Sequence, residues 1–492
     1  MTRLTKSRFV SGCQCPRQLW WRVHEPQAKE LEPDKVLRDL FDQGIQVDLR
    51  AREEWPDGVL IEGDYDDESL VARTAAAIAG GARVIFNACF EIDGAWCAVD
   101  VLERNGAEWT LVEVKSASEA KDAHLPDVAF QVHVVRLAGL NVTRAEVMHL
   151  NREYRHPDIG PLFARTDVTA LIAPILTDVP ATIAALRQAV DGPLPGTKVG
   201  PHCWEPKKCA FFDRCWPDDP DHIRNLWNVG PKKTWAWMQK GVHAMNAIPA
   251  TEKLNDKQKR QLRAQRENRL IVEPSLAEAI RPAAEAKRLG YLDFETVGRA
   301  LPVWDGLGPW HAAAAQFSYH ERGPDGAVTH AEFLAEGPDD PSDPPDDPRE
   351  AIALAMLDAT ANADRVVIYT TFEATRIKEL AARLPHLAEP LLALKEKLWD
   401  LQPVVANNVY DPRFLGSFSL KYILNPLVPD LSYNDLVIVD GMTASVEIAR
   451  LLFVSGRIPK AERDKTRRDL LDYCERDTFA TVRLVQRLIE LA

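Results

Sequence analysis

The sequence predicts an α/β multidomain protein, and three observations carry that prediction. At 492 residues and 55.1 kDa the chain exceeds one typical domain and has material for two or three cores. Residues 82–151 run through three strand-like segments, a helix-like segment and another strand-like one. After a helical stretch, GYLDFETV at 290–297 opens a second strand-bearing region.

Taken in order, Val36 to Glu54 has helical periodicity and stops at Trp55-Pro56-Asp57-Gly58. Asp67 to Ala79 reads as a second helix. RVIFNACFEI, AWCAVDVLER and EWTLVEVKSA then read as strands, joined by turns at Asp93-Gly94 and Asn105-Gly106. A helix from about Pro126 to Ala138 ends at Gly139, and EVMHLN is the next strand. Ala170 to Val190 is helical, and the Pro- and Gly-rich DGPLPGTKVGPHC leads into a cysteine-rich segment. Residues 221–285 form a helical connector, so the expected division is 1–220, 221–285 and 286–492. In the last part RVVIYT is a strand, Phe372 to Leu384 a helix, and Arg468 to Leu491 a long amphipathic helix. The acidic, proline-rich GPDDPSDPPDDPRE at 337–350 is a loop that cannot build a core.

Composition narrows the function classes. Hydrophobic residues are 46% and charged residues 27%, an ordinary soluble balance. No uninterrupted apolar stretch long enough to span a bilayer is expected, and the N-terminal charges precede no apolar run, so the expected location is the cytoplasm and no membrane partner is expected. The net charge of −13 argues against a strong non-specific grip on a duplex, yet carboxylates that hold divalent cations count as negative until the cation binds. Lys257–Arg269 and Arg463–Arg468 are local basic runs. Eight cysteines in a chain of this size do not suggest a disulfide scaffold. Cys89, Cys97 and Cys474 sit alone in strand- or helix-like patterns and read as small buried residues.

A first constellation lies in the meander. Period-two alternation puts Glu113 and Lys115 on one face of their strand, and Asp100 on the preceding strand approaches both if the two are hairpin partners. Two carboxylates and a lysine suit metal-assisted phosphodiester cleavage, with Mg²⁺ or Mn²⁺ held by Asp100 and Glu113 and a water positioned by Lys115. They suit a polar, half-exposed sheet as well. Gln131, on the next helix, is placed to reach a phosphate or that water, and Glu91 is a further nearby carboxylate.

With these residues, the region 1–217 resembles the RecB-like branch of the PD-(D/E)xK nuclease superfamily (restriction-endonuclease-like), in particular its iron–sulfur members among CRISPR-associated nucleases. The resemblance implies that Asp100 is the motif II aspartate, Glu113 and Lys115 the E-x-K motif, and Gln131 the glutamine of a helical Q-x-x-x-Y motif. The chain departs from that pattern at Val135, where the tyrosine belongs, and at Asp48, where the helix after Gly44 carries no histidine.

Cys203, Cys209 and Cys215 supply three soft ligands at six-residue intervals, and Cys15 or Cys13 is the fourth. Four cysteines suit a [4Fe–4S] cluster or zinc, and the resemblance favours the cluster and Cys15, which precedes Pro16-Arg17. His202 is a neighbour of the triple and no ligand. In the connector, WNVGPKKTWAWMQKGV resembles a weak helix-hairpin-helix, while Trp227, Trp235 and Trp237 also suit packing between domains.

A second constellation opens the last region. Asp293 and Glu295 share one face of a strand and suit paired divalent ions, and Tyr473 and Asp477 share one face of the final helix. D-x-E opening a domain and Y-x-x-x-D in its last helix make 288–491 similar to RNase H-like DEDD exonucleases that use tyrosine. That resemblance places the middle acid at Glu373, makes Asp400 a supporting residue and Lys421 a phosphate contact. The domain order is similar to that of a little-characterised bacterial family. The expected activity is metal-dependent phosphodiester hydrolysis, 3′ to 5′ on single-stranded DNA before RNA; the alternatives are an RNA-directed nuclease and a nucleic-acid-binding adaptor with one or both sites inactive. No residue pattern singles out a helicase, CRISPR or DNA-repair partner.

Overall fold

The structure is a computed structural model that describes residues 3–64, 67–340 and 342–492, so Pro341 of the acidic loop lies outside the described residues. It is α/β with two mixed sheets and a small third one. The chain divides into two compact units: residues 1–216 with 299–311, and residues 217–298 with 312–492. The connector therefore belongs to the second unit.

In the first unit the strands are β1 (Leu4–Thr5), β2 (Val59–Leu60), β3 (Val84–Ile92), β4 (Ala95–Asn105), β5 (Glu108–Lys115), β6 (Val142–Leu150) and β7 (Phe163–Asp167). They form one sheet in the order β2-β3-β4-β5-β6-β7, with β1 alongside β4. β3, β4 and β5 are the expected antiparallel meander, and β5 pairs parallel with β6. Asp93-Gly94 turns with both residues at positive φ, as a two-residue hairpin needs. The next turn is Gly106-Ala107, one residue later than expected, because Asn105 still pairs with Glu108 and only Gly106 takes positive φ. β1, β2, β7 and the helices Lys6–Gln14 and Pro16–His24 are additions that the alternation of apolar residues does not reveal.

One face of this sheet is covered by Lys6–Gln14, Leu125–Leu137 and Thr169–Asp191, and the helix Lys35–Arg52 reaches β5 from the other. Leu125–Leu137 is apolar almost all round because it is the middle layer, with Val128, Phe130, Val134 and Val135 all fully buried. Val135 is thus a core residue. Thr169–Asp191 is by length and composition long and apolar enough to cross a membrane, a test that the core helix of a soluble protein also passes. Pro174 and Pro180 interrupt its sequence, and Ile172, Val179, Ile183, Leu186 and Val190 pack into the core. In the added segment 299–311, Ala300 N–H donates to Gln43 and Trp310 Nε1–H donates to the Ser116 carbonyl, one residue beyond Lys115.

In the second unit the strands are β8 (Ile271–Val272), β9 (Leu289–Gly298), β10 (Ala312–Arg322), β11 (Val328–Leu334), β12 (Arg365–Ile368), β13 (Leu398–Asp400) and β14 (Val409–Tyr410). The main sheet has the order β11-β10-β9-β12-β13, antiparallel from β11 to β9 and parallel from β9 to β13. Leu292, Phe294 and Phe317 pack on one face and Tyr291 on the other, so β9 is buried on both. The last helix runs over Lys460–Leu491, eight residues longer at its start than the apolar pattern shows. In the connector, Pro231–Gln239 is a helix between Gly230 and Gly241, and Trp237 packs with Ile223, Leu226, Met245 and Leu262 in a local core.

Phe130 is fully buried, stacks on Phe9 at 4.7 Å, and stands next to Gln131. Phe130→Ala is expected to destabilise the protein by about 3–5 kcal/mol, read as a lower denaturant midpoint; no shift would mean that the Lys6–Gln14 helix is not held by this contact.

Candidate functional site

The first site is built where β4 and β5 part. Their ladder ends at Val101–Val112, and beyond it the Asp100 carboxylate accepts the Val114 N–H at 2.8 Å. Glu113 is buried on the face under Leu125–Leu137, where Gln131 Nε2 donates to it at 2.7 Å. Lys115 Nζ donates to Glu113 at 2.6 Å and to Asp127 at 2.9 Å, so Glu113 and Lys115 do share a face. Asp100, Glu113, Lys115 and Gln131 therefore converge.

Two further residues complete the network. Lys6, at the start of the first helix, donates to Glu113 at 3.0 Å and stands 3.6 Å from Asp100. Asp127, one turn before Gln131, accepts from both Lys115 and Gln131. The i, i+4 spacing of Asp127 and Gln131 is a signal in the sequence, whereas Lys6 leaves none beyond being a lysine. Asp48 lies within electrostatic reach: burial raises its pKa, Arg52 and Lys6 lower it and Glu113 raises it, and its Oδ1 is buried without a hydrogen-bond partner. Glu91 pairs with Arg3 instead.

The charges decide who carries protons. Burial and the Glu113 charge push Asp100 up to about 7. Burial also pushes Glu113 up, but Lys115 and Lys6 outweigh it and hold Glu113 well below the carboxylate range. Both lysines stay protonated, since the carboxylates around them overcome burial.

The second site lies on the face of β9 that the last helix crosses. One ligand oxygen each of Asp293, Glu295 and Asp477 falls within 4.8 Å of the others. Glu373, at the first turn of Phe372–Arg383, is 2% exposed, hydrogen-bonds with Asp293, and has a buried Oε2 without a partner. Tyr473 and Tyr433 both hydrogen-bond to Asp477, and the Cys474 thiol lies 3.8 Å from Asp293. Lys421 bears on Glu295 and Asp477 electrostatically and sits 5.9 Å from the Tyr473 ring centre. Asp400 accepts the N–H groups of Thr370 and Gln402 and stands behind Glu373. Tyr433 and Asp440 are contributors that the motifs do not mark. Asp440 caps Gly441–Phe453, and a Cβ on Gly441 would come 3.3 Å from Glu295.

Here the electrostatics are one-sided. Burial and then the neighbouring acids raise Asp293 and Glu295 far above their ordinary range, and Asp477 is raised by burial against two phenol hydrogen bonds. Burial and Asp400 take Glu373 to about 8. Four carboxyl groups this close suit divalent cations with oxygen ligands.

Cys15, in the break between the first two helices, lines one small cavity with Cys203, Cys209 and Cys215. Cys13 is exposed and does not line it. All eight cysteines are free thiols, and burial raises Cys209 to about 11. His202 Nε2 is 3.7 Å from the Cys203 sulfur.

The second site yields a sign for stability against pH. Glu373 titrates near 8 in the folded chain and near the ordinary value of about 4.3 when unfolded, so between these the folded state holds the extra proton. In chelator, the melting temperature is therefore expected to fall as pH rises from about 5 to about 8. Glu373→Gln flattens that slope, and added Mn²⁺ raises the wild-type melting temperature at the upper end; a slope unchanged in the variant would remove Glu373 from this role.

A family model described as a domain of unknown function, DUF2779, matches residues 290–419. The match takes in Asp293, Glu295, Glu373 and Asp400 and ends before Lys421 and the helix with Tyr473 and Asp477. No curated protein matches the chain.

Proposed function

We propose that the protein is a metal-dependent nuclease with two sites: a RecB-like PD-(D/E)xK core with a [4Fe–4S] cluster in the first unit, and an RNase H-like DEDD exonuclease in the second. The observation that carries this reading is the meeting of Asp293, Glu295 and Asp477 within 4.8 Å, with Glu373 hydrogen-bonded to Asp293. A buried set of four acids cannot all stay ionised by itself and must hold protons, a condition that a divalent cation relieves.

In the second site Asp293, Glu295, Glu373 and Asp477 would hold Mg²⁺ or Mn²⁺, which when bound supplies Lewis acidity and an activated water. Tyr473 remains a neutral phenol, since burial and the acid charges raise its pKa; its O–H is given to Asp477, and its oxygen is left to accept from and orient a water. Lys421 supplies positive charge beside the acids for the phosphate. In the first site Asp100 and Glu113 would hold the cation, while Lys115 keeps its proton to stabilise charge developing on the phosphate. The Gln131 Oε1 is buried without a partner and leaves an acceptor for a water. Substrate is read as single-stranded DNA before RNA, acted on in the cytoplasm.

Four free cysteine thiols around one cavity fit a soft-metal centre. A zinc ion with Zn–S bonds of about 2.3 Å would draw its sulfurs to roughly 3.8 Å apart. Among the described residues the sets of three ligand atoms within 4.8 Å of one another contain no cysteine.

A second reading has its own observation. Lys6 pairs with both first-site carboxylates, a charge balance that needs no metal, and this favours a first unit that binds nucleic acid without cutting it.

The deciding assay uses anaerobically purified full-length protein, Mn²⁺ and 5′-labelled single-stranded DNA or RNA. We expect a 3′ to 5′ ladder that Asp293→Ala abolishes. A product lost in Lys115→Ala assigns cleavage to the first site. No cleavage by the wild type would overturn the nuclease reading. Separately, the purified protein is expected to carry about four irons, lost in Cys15→Ser and kept in Cys13→Ser; zinc in their place would replace the cluster reading.

A further inference from the structure

The helix Lys460–Leu491 carries Asp477 toward β9, and Glu475, two residues earlier, lies on a different side of it. There it meets two imidazoles. His320 on β10 and His330 on β11 are register partners, and their rings stack at 4.5 Å. One ligand atom each of His320, His330 and Glu475 lies within 4.8 Å of the others.

Each imidazole is anchored through its other nitrogen. His320 Nδ1 is 2.8 Å from Thr478 Oγ1, His330 Nε2 is 2.9 Å from Ser318 Oγ, and the two hydroxyls are 2.7 Å apart. Thr478 has one hydroxyl proton, and it reaches back to the Glu475 carbonyl at 3.1 Å. Its oxygen then accepts from His320 Nδ1–H and from the Ser318 hydroxyl, and Ser318 in turn accepts from His330 Nε2–H. The distances admit this assignment, which satisfies every group and in which Nε2 of His320 and Nδ1 of His330 carry the lone pairs. An imidazole whose second nitrogen donates to a fixed oxygen is in the state in which histidines bind metals.

We propose that His320, His330 and Glu475 form a separate binding site for a zinc-type divalent ion. Two nitrogens and one carboxylate suit zinc and disfavour Mg²⁺, which takes oxygen ligands. A tetrahedral zinc shell with bonds of about 2.0–2.1 Å holds its ligand atoms roughly 3.3 Å apart. His330 and Glu475 are exposed, so the closing movement falls to them, His330 pivoting about its hydrogen bond to Ser318, while His320 is buried. Three protein ligands leave one position for water. The ion would clip the β10–β11 edge to the helix that bears Tyr473 and Asp477, and so steady the second site from behind without entering its chemistry.

The test is a cobalt(II) titration of the full-length protein with its cysteine centre loaded, followed by zinc competition. In excess Mg²⁺, which fills the carboxylate sites, wild type is expected to bind one zinc-displaceable equivalent with a d–d spectrum and no thiolate charge-transfer band. His330→Ala removes that equivalent, Glu475→Gln weakens it, and Thr478→Val weakens it by roughly 10–100-fold through the lost anchor. Asp293→Asn leaves it in place. Equal stoichiometry and spectra for wild type and His330→Ala would overturn the site. So would loss of the signal in Asp293→Asn alone, which would assign the ion to the carboxylate cluster. Circular dichroism of each variant separates lost binding from lost folding.

Discussion

The structure depends on how each unit tolerates buried carboxylates that face one another. A buried acid costs several kcal/mol when charged and unpaired, and a second acid beside it raises that cost. The two units answer differently. In the first, Lys6 and Lys115 close on Glu113 from two directions, Asp127 takes the other side of Lys115, and Asp100 is left as the group that titrates. In the second, the lysine that acts on the cluster is Lys421, and it bears on Glu295 and Asp477 from nearby without an ion pair among the described residues. Protons or cations must supply the rest.

That constraint explains which elements have to meet. Lys6 lies 107 residues from Glu113, so the first helix is held to β5 by charge and to the helix Leu125–Leu137 by Phe9 on Phe130. The same N-terminal segment brings Cys15 to a cavity whose other cysteines lie near residue 210. The N-terminal segment is thereby joined to the middle of that stretch through the carboxylate network and to its end through the cysteine cavity. In the second unit the last helix plays the corresponding part. It reaches β9 through Asp477 and Cys474, and β10 through Thr478.

Much of the local order was written in the chain. The Asp93-Gly94 turn, the alternation of EWTLVEVKSA and the spacing of Tyr473 and Asp477 are local signals, and each emerges as a turn, a shared strand face or a shared helix face. β10 and β11 escaped because alanine-rich and histidine-bearing segments carry no clean alternation. Residues 299–311 belong to the first unit although they lie between two strands of the second, and no local pattern marks that. The apolar Thr169–Asp191 shows the converse: composition alone does not distinguish a membrane span from a helix that lends one side to a core.

By itself the sequence determined the candidate acids, the soft-ligand cysteines and the strands and helices that carry them, because residue type and short-range periodicity are properties of a few neighbouring residues. Only the tertiary structure decided that Cys15 and not Cys13 lines the cavity, that Lys6 and Asp127 complete the first network, that Tyr433 joins Tyr473 at Asp477, and that two histidines meet Glu475. Each of these is a contact between segments far apart in the chain or a choice between near neighbours, and each is fixed by the packing of whole elements, which short-range periodicity does not encode.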